Sequence, residues 1–101
     1  MPEVKPEVKP EVKDVPAESR FEIYVGGDRV GLLDYYVTGS TITMPHTEID
    51  PAYGGQGLGG ELVKGALDDI RSRGLAVRPA CSFVRHYIEG HPEYRSLLEG
   101  P

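Results

Sequence analysis

Gly54-Gly55-Gln56-Gly57-Leu58-Gly59-Gly60-Glu61-Leu62-Val63 is the stretch on which the reading of this chain turns. Five of its first seven residues are glycine, and an amphipathic run begins inside it. Leu58, Leu62, Val63, Ala66, Leu67 and Ile70 fall on one helical stripe, while Glu61, Lys64, Asp68, Asp69 and Arg71 face away. Asp69 and Arg73 are spaced i, i+4 to pair, and Gly74 is suited to end the helix. The loop glycines lack the Cβ atoms that would hold a ligand off the backbone. Their N–H groups, with those of the helix N-terminus, make an anion site of the kind that receives phosphate. Glycine is costly within a helix, so Gly59 and Gly60 in a first turn argue for a use rather than for slack.

Upstream, Phe21 to Val25 alternates with the period of a half-buried strand, and Gly26-Gly27-Asp28 supplies a tight turn. Val30 to Val37 reads as the returning strand, Gly39-Ser40 as a second turn, and Thr41 to Ile49 as a third strand. A regular third strand would place Ile42, Met44, His46 and Glu48 on one face. Pro45 cannot donate to a ladder, so the strand is an edge there or carries a bulge. Downstream of the helix, Leu75 to Val77 is short and apolar, and Pro79 ends it. Strand, loop, helix and strand form a βαβ crossover, which makes the last two strands parallel neighbours. Val84 to Glu89 and Pro92 to Leu98 read as short helices. The expected class is α+β (mixed α/β), an antiparallel meander leading into one crossover.

Residues 2 to 13 are three identical copies of Pro-Glu-Val-Lys. Proline at every fourth position interrupts helix and ladder alike, and three valines offer little to bury. This segment reads as a disordered tail over residues 1 to 18, with the folded domain over 19 to 101. The tail is charge-neutral, so the formal net charge of −5 belongs to the rest of the chain. That balance disfavours nucleic acid and anionic membranes, and mildly favours a cationic acceptor. A single cysteine and no CxxC pair exclude an internal disulfide and a thiolate zinc site, and point to the cytoplasm.

Several phosphate ligands fit a glycine loop. A nucleotide-binding P-loop needs Gly-Lys-Ser/Thr, which Gly57-Leu58-Gly59 does not offer. Gly55, Gly57 and Gly60 match the dinucleotide pattern GxGxxG, but Arg78 stands where a ribose-binding acid belongs. A single βαβ unit is also too little for that fold, leaving an NADP-binding fragment as the weakest option. Ile49-Asp50-Pro51-Ala52-Tyr53-Gly54-Gly55-Gln56-Gly57-Leu58-Gly59 followed by Leu62 resembles the acetyl-CoA motif of the GNAT acetyltransferases. Gly54 departs from the Arg or Gln of that motif. His46-Thr47-Glu48-Ile49, Pro79 to Val84 and His91-Pro92-Glu93-Tyr94 are similar to stretches of a small single-domain GNAT-like group.

The resemblance implies acetyl-CoA or CoA bound by Ile49, Gly54, Gly55, Gln56, Gly57, Leu58, Gly59 and Gly60; no metal ligand set is read from the sequence. It implies that the pantetheine arm lies between the third and fourth predicted strands, splayed apart by a bulge at Pro45. The activity implied is acetyl transfer to an amine on a small molecule or peptide. Glu48 and His46 are candidates to take the proton from that amine. Cys81 stands where the thioester sulfur would arrive, either to accept the acetyl group transiently or to line the acceptor site. Tyr87 is the candidate proton donor to the departing thiolate. The alternative is a CoA-binding module without turnover, because so short a domain lacks elements that often wall the acceptor site. A homodimer would supply such a wall, though no residue pattern points to one.

Overall fold

Both hairpins of the meander close where glycine permits a left-handed backbone. Gly26 and Gly27 have φ of 58° and 89°, and Gly39 has φ of 61°. The computed structural model describes residues 9–98, and in it these turns join three strands of a five-stranded sheet. The strands are β1 (Glu11–Val15), β2 (Arg20–Val25), β3 (Asp28–Thr38), β4 (Thr41–Ile49) and β5 (Ala76–Arg78), side by side in chain order. β1 to β4 are antiparallel, and β5 joins β4 in parallel through Thr41–Ala76, Ile42–Val77 and Thr43–Arg78. The expected crossover therefore forms, by way of helix α1 (Leu58–Ser72). Helix α2 (Ser82–Gly90) follows β5, and Pro92–Leu97 winds as a 3-10 helix, the second of the two short helices expected.

One face of the sheet makes the core. Phe21, Ile23, Leu33, Ile42 and Met44 pack against Leu58, Leu62, Val63, Ala66, Leu67 and Ile70 of α1, the stripe predicted from sequence. Val77, Val84 and Tyr94 seal the far end. α1 ends as expected, with Gly74 at φ 70° and its N–H on the Arg71 carbonyl at 3.1 Å. Arg73 reaches Asp69 at 2.6 Å.

The tail expectation fails at its C-terminal end. Residues 1–8 lie outside the described residues, but Glu11–Val15 is an edge strand on β2, and Pro16–Glu18 a 3-10 turn leading into it. Pro10 and Pro16 bracket β1, so five proline-free residues remain to pair. Val12 packs at Gly65 of α1, where a Cβ would come within 2.8 Å of it. Asp14 accepts the Tyr35 hydroxyl at 2.6 Å and forms an ion pair with Arg73. Tertiary contacts of single residues thus outweigh the composition of the repeat.

Candidate functional site

Pro45 does what a ladder-breaking residue must. Asp34 pairs with His46 and Tyr36 with Thr43, so Met44 and Pro45 together oppose Tyr35 alone. That is a β-bulge, and it reverses which residues of β4 face inward. Ile42 and Met44 lie in the core before it; beyond it Thr47 and Ile49 turn inward while His46 and Glu48 are exposed. The expectation that His46 and Glu48 share a face with Ile42 and Met44 is thereby corrected.

The bulge also marks where β4 loses its neighbour. β5 pairs only as far as Thr43, and the chain touches β4 again through Cys81 N to Met44 O, 2.8 Å. Beyond that contact, β4 borders a cleft of about 390 Å³ through Thr47 and Ile49. Its lining combines Thr47 and Ile49 of β4, Tyr53, the loop residues Gly54, Gly55, Gly57, Leu58, Gly59 and Gly60, and Phe83 of α2. Seven of the eight predicted cofactor residues are brought together; Gln56 is not part of the lining.

The loop's local geometry explains its glycines. Asp50 Oδ1 accepts the Ala52 N–H at 2.9 Å, which starts the 3-10 turn Pro51–Tyr53. Gly55 and Gly57 then have φ of 78° and 74°, a left-handed conformation that side chains resist. The first turn bond of α1 runs from Glu61 N to Gly57 O, 3.2 Å. The N–H groups of Leu58, Gly59 and Gly60 precede it and have no partner within the helix. Gly59 lies under the Phe83 ring, which a Cβ would approach to 2.6 Å. A bare backbone, a helix N-terminus and an apolar wall together suit a phosphate with an uncharged arm attached.

The hydroxyl of Thr47, a lining residue, lies 3.5 Å from the sulfur of Cys81, which is beside the lining rather than part of it. Cys81 is the residue before α2, with the Phe83 and Val84 N–H groups close to its sulfur. Burial pushes this thiol up, but the Thr47 hydroxyl and those N–H groups outweigh it, and the net direction is down from the ordinary value. On the outward face of β4, His46 Nε2 lies 2.8 Å from Glu48 Oε2. Neither residue is part of the cleft lining; Glu48 instead borders a second hollow with Arg29, Gly31 and Asp50.

Tyr87 is not gathered with the others. Its ring stacks on His91 at 3.9 Å between centroids and lies against Gly60, outside the cleft lining. His91 donates from Nδ1 to the Tyr87 carbonyl at 2.7 Å. Burial pushes the Tyr87 phenol up; the charges it feels are those of Lys64, Glu93, Asp68 and Glu61. Thr47, Tyr53 and Phe83 were not legible as site residues. The signal for Thr47 was Pro45, since a bulge there exchanges inward and outward positions.

A family model described as GCN5-related N-acetyl-transferase matches residues 20–97. Protein NATD1 of Mus musculus is 32% identical over 75 residues, covering 72% of this chain and 68% of that protein. Protein NATD1 of Danio rerio is 30% identical over 79 residues, covering 74% and 72%. The NMR solution structure of a GCN5-like protein from Staphylococcus aureus superposes with a TM-score of 0.67 at 28% identity, over 90% of this chain and 89% of that one. The ribosomal-protein-S18-alanine N-acetyltransferase of Escherichia coli shares the fold, with a TM-score of 0.61 at 22% identity over 70% of this chain and 49% of that one. The chain belongs to the GCN5-related N-acetyltransferase family.

Proposed function

We propose that this member of the family binds acetyl-CoA in the cleft and transfers the acetyl group to an amine. The observation that carries this reading is a single cleft lined by the bare glycine loop, by Thr47 and Ile49 of β4 and by Phe83, with the Cys81 sulfur 3.5 Å from the Thr47 hydroxyl. Its residues fit the cofactor. The N–H groups at the start of α1 would hold the pyrophosphate, and the Met44–Ile49 edge, with Phe83 opposite Gly59, would hold the pantetheine arm. When bound, the cofactor supplies a thioester, an acyl donor activated toward amines.

The chain's own residues then have defined tasks. Thr47 and Cys81 enclose the acyl end. Glu48, hydrogen-bonded to His46, takes the proton released as the amine becomes a nucleophile, directly or through a water. The proton for the departing sulfur comes from solvent, from Cys81 or from Tyr87, whose ring lies beside Gly60 of the lining. A release assay for free thiol over a panel of amines and basic peptides tests the reading. Turnover with any acceptor supports it; CoA binding without turnover on any would point to a binding module.

One observation favours a second route. The lowered Cys81 thiol is suited to accept the acetyl group before the amine does. Incubation with acetyl-CoA followed by peptide mass spectrometry separates the two routes. A Cys81 adduct together with an inactive Cys81→Ala favours the relay; unmodified Cys81 with turnover intact in Cys81→Ala favours direct transfer.

A further inference from the structure

β1 is built from the third Pro-Glu-Val-Lys copy, and most of its contacts come from residues that the repeat duplicates. Val12 fills the notch at Gly65, Lys13 Nζ lies 5.0 Å from the Tyr24 ring centroid, and Lys13 pairs with Glu11 at 3.5 Å. The second copy offers Glu7, Val8 and Lys9 at the same spacing. A shift of four residues is an even number, so every side chain keeps its face of the sheet. The connection between β1 and β2 spans residues 16 to 19 and would double in length, at a cost of about threefold in closure probability. Glu11 would replace Val15, which is only half-buried. The position that changes most is Asp14, which would become Pro10, so the shifted strand has three proline-free residues in a row where the third copy has five.

Asp14 carries what the repeat lacks. Its carboxylate accepts the hydroxyl of buried Tyr35 at 2.6 Å and is paired with Arg73. With its side chain 12% exposed, it is held between β3 and the C-terminal end of α1. We propose that the β2 edge with the Gly65 notch is a seat for Pro-Glu-Val-Lys segments, and that Asp14 is the lock that gives this seat to the third copy. Without the lock the second copy competes within the same chain, drawing four residues across the rim of the domain, about 13 Å of extended chain.

The test uses the full chain and nuclear Overhauser contacts between valine methyl groups and the Gly65 α-protons. In the unaltered protein only Val12 gives that contact. In Asp14→Ala a second set of signals is expected, with Val8 at Gly65 and a population raised about 10- to 100-fold, as loss of charge-assisted hydrogen bonds implies. Adding Val4→Ser and Val8→Ser should remove the second set. Should Asp14→Ala unfold, Asp14→Asn keeps the shape with a weaker acceptor and is expected to give the same second set. The proposal is overturned if only Val12 reaches Gly65 in the folded variant, or if the second set survives loss of Val4 and Val8. Concentration-dependent dimers in light scattering would also overturn it, because the competing copy would then come from another chain.

Discussion

The two halves of β4 are one continuous strand with opposite duties. From Thr41 to Thr43 it is paired on both edges, and Ile42 is fully buried. From His46 to Ile49 it keeps its β3 partner, while Thr47 and Ile49 line the cleft. A single bulge at Pro45 separates them, and it both opens the edge and exchanges the inward residues. The lesson is that an unpaired strand edge, ordinarily a liability, is suited to receive an extended ligand when a bulge and a glycine loop frame it.

Substitutions on either side of the bulge should therefore fail in different ways. The largest expected effect is structural: Ile42→Ala should cost about 2–5 kcal/mol in urea denaturation, while the fraction still folded binds CoA as before. A matching loss of affinity in that folded fraction would erase the division between the halves. Glu48→Gln should do the reverse, lowering kcat by about 100-fold with the melting temperature little changed, because Glu48 is exposed. Steady-state kinetics beside a thermal melt reads both.

Two neighbouring glycines sharpen the comparison further. At Gly59 a Cβ meets Phe83 at 2.6 Å, so Gly59→Ala should weaken CoA binding about tenfold by displacing the cleft wall. At Gly60 the added Cβ meets Tyr87 at 3.7 Å, an ordinary contact. Gly60→Ala should accordingly leave the cleft wall in place, weaken CoA binding less than Gly59→Ala does, and stabilise the helix by about 0.5–1 kcal/mol. Calorimetric titration of both variants checks the contrast.

The smallest expected effect belongs to the paired part of the sheet. The Tyr24 hydroxyl at 2.6 Å, with Arg20 at 2.7 Å, holds the Glu22 carboxyl below its ordinary value despite burial. Its folded value being depressed, the stabilisation is complete above the unfolded value and fades as pH falls through the folded one. Acid denaturation below about pH 4 should thus show a component of about 1 kcal/mol that Glu22→Gln abolishes. An unchanged acid limb in that variant would contradict the assignment.

Much of this was legible in the sequence, and the failures have physical causes. The α1 stripe, the turn glycines and the crossover follow from periodicity and backbone freedom, which are local properties. The loop was legible because glycines in a helix's first turn have a cost that asks for a reason. The inward position of Thr47 was hidden because one inserted residue changes the parity of everything after it. Phe83 was hidden because its partner is the absence of a side chain at Gly59, distant in sequence. β1 was missed because a repeat poor in apolar residues becomes a strand only when Gly65, Tyr35 and Arg73 are in place to receive it. Tyr87 stacks on His91 and lies beside Gly60, next to the cleft lining rather than in it.

The central claim is that the glycine loop and the open edge of β4 form one CoA site. Titration of the labelled protein with CoA, followed by amide NMR, tests it most directly, with NADPH as the control. The account predicts saturable shifts confined to Gly54 through Gly60, to Thr47 and Ile49, and to the start of α2, with none of comparable size from NADPH. Saturation by NADPH in place of CoA, or CoA shifts that leave the glycine loop unmoved, would contradict it.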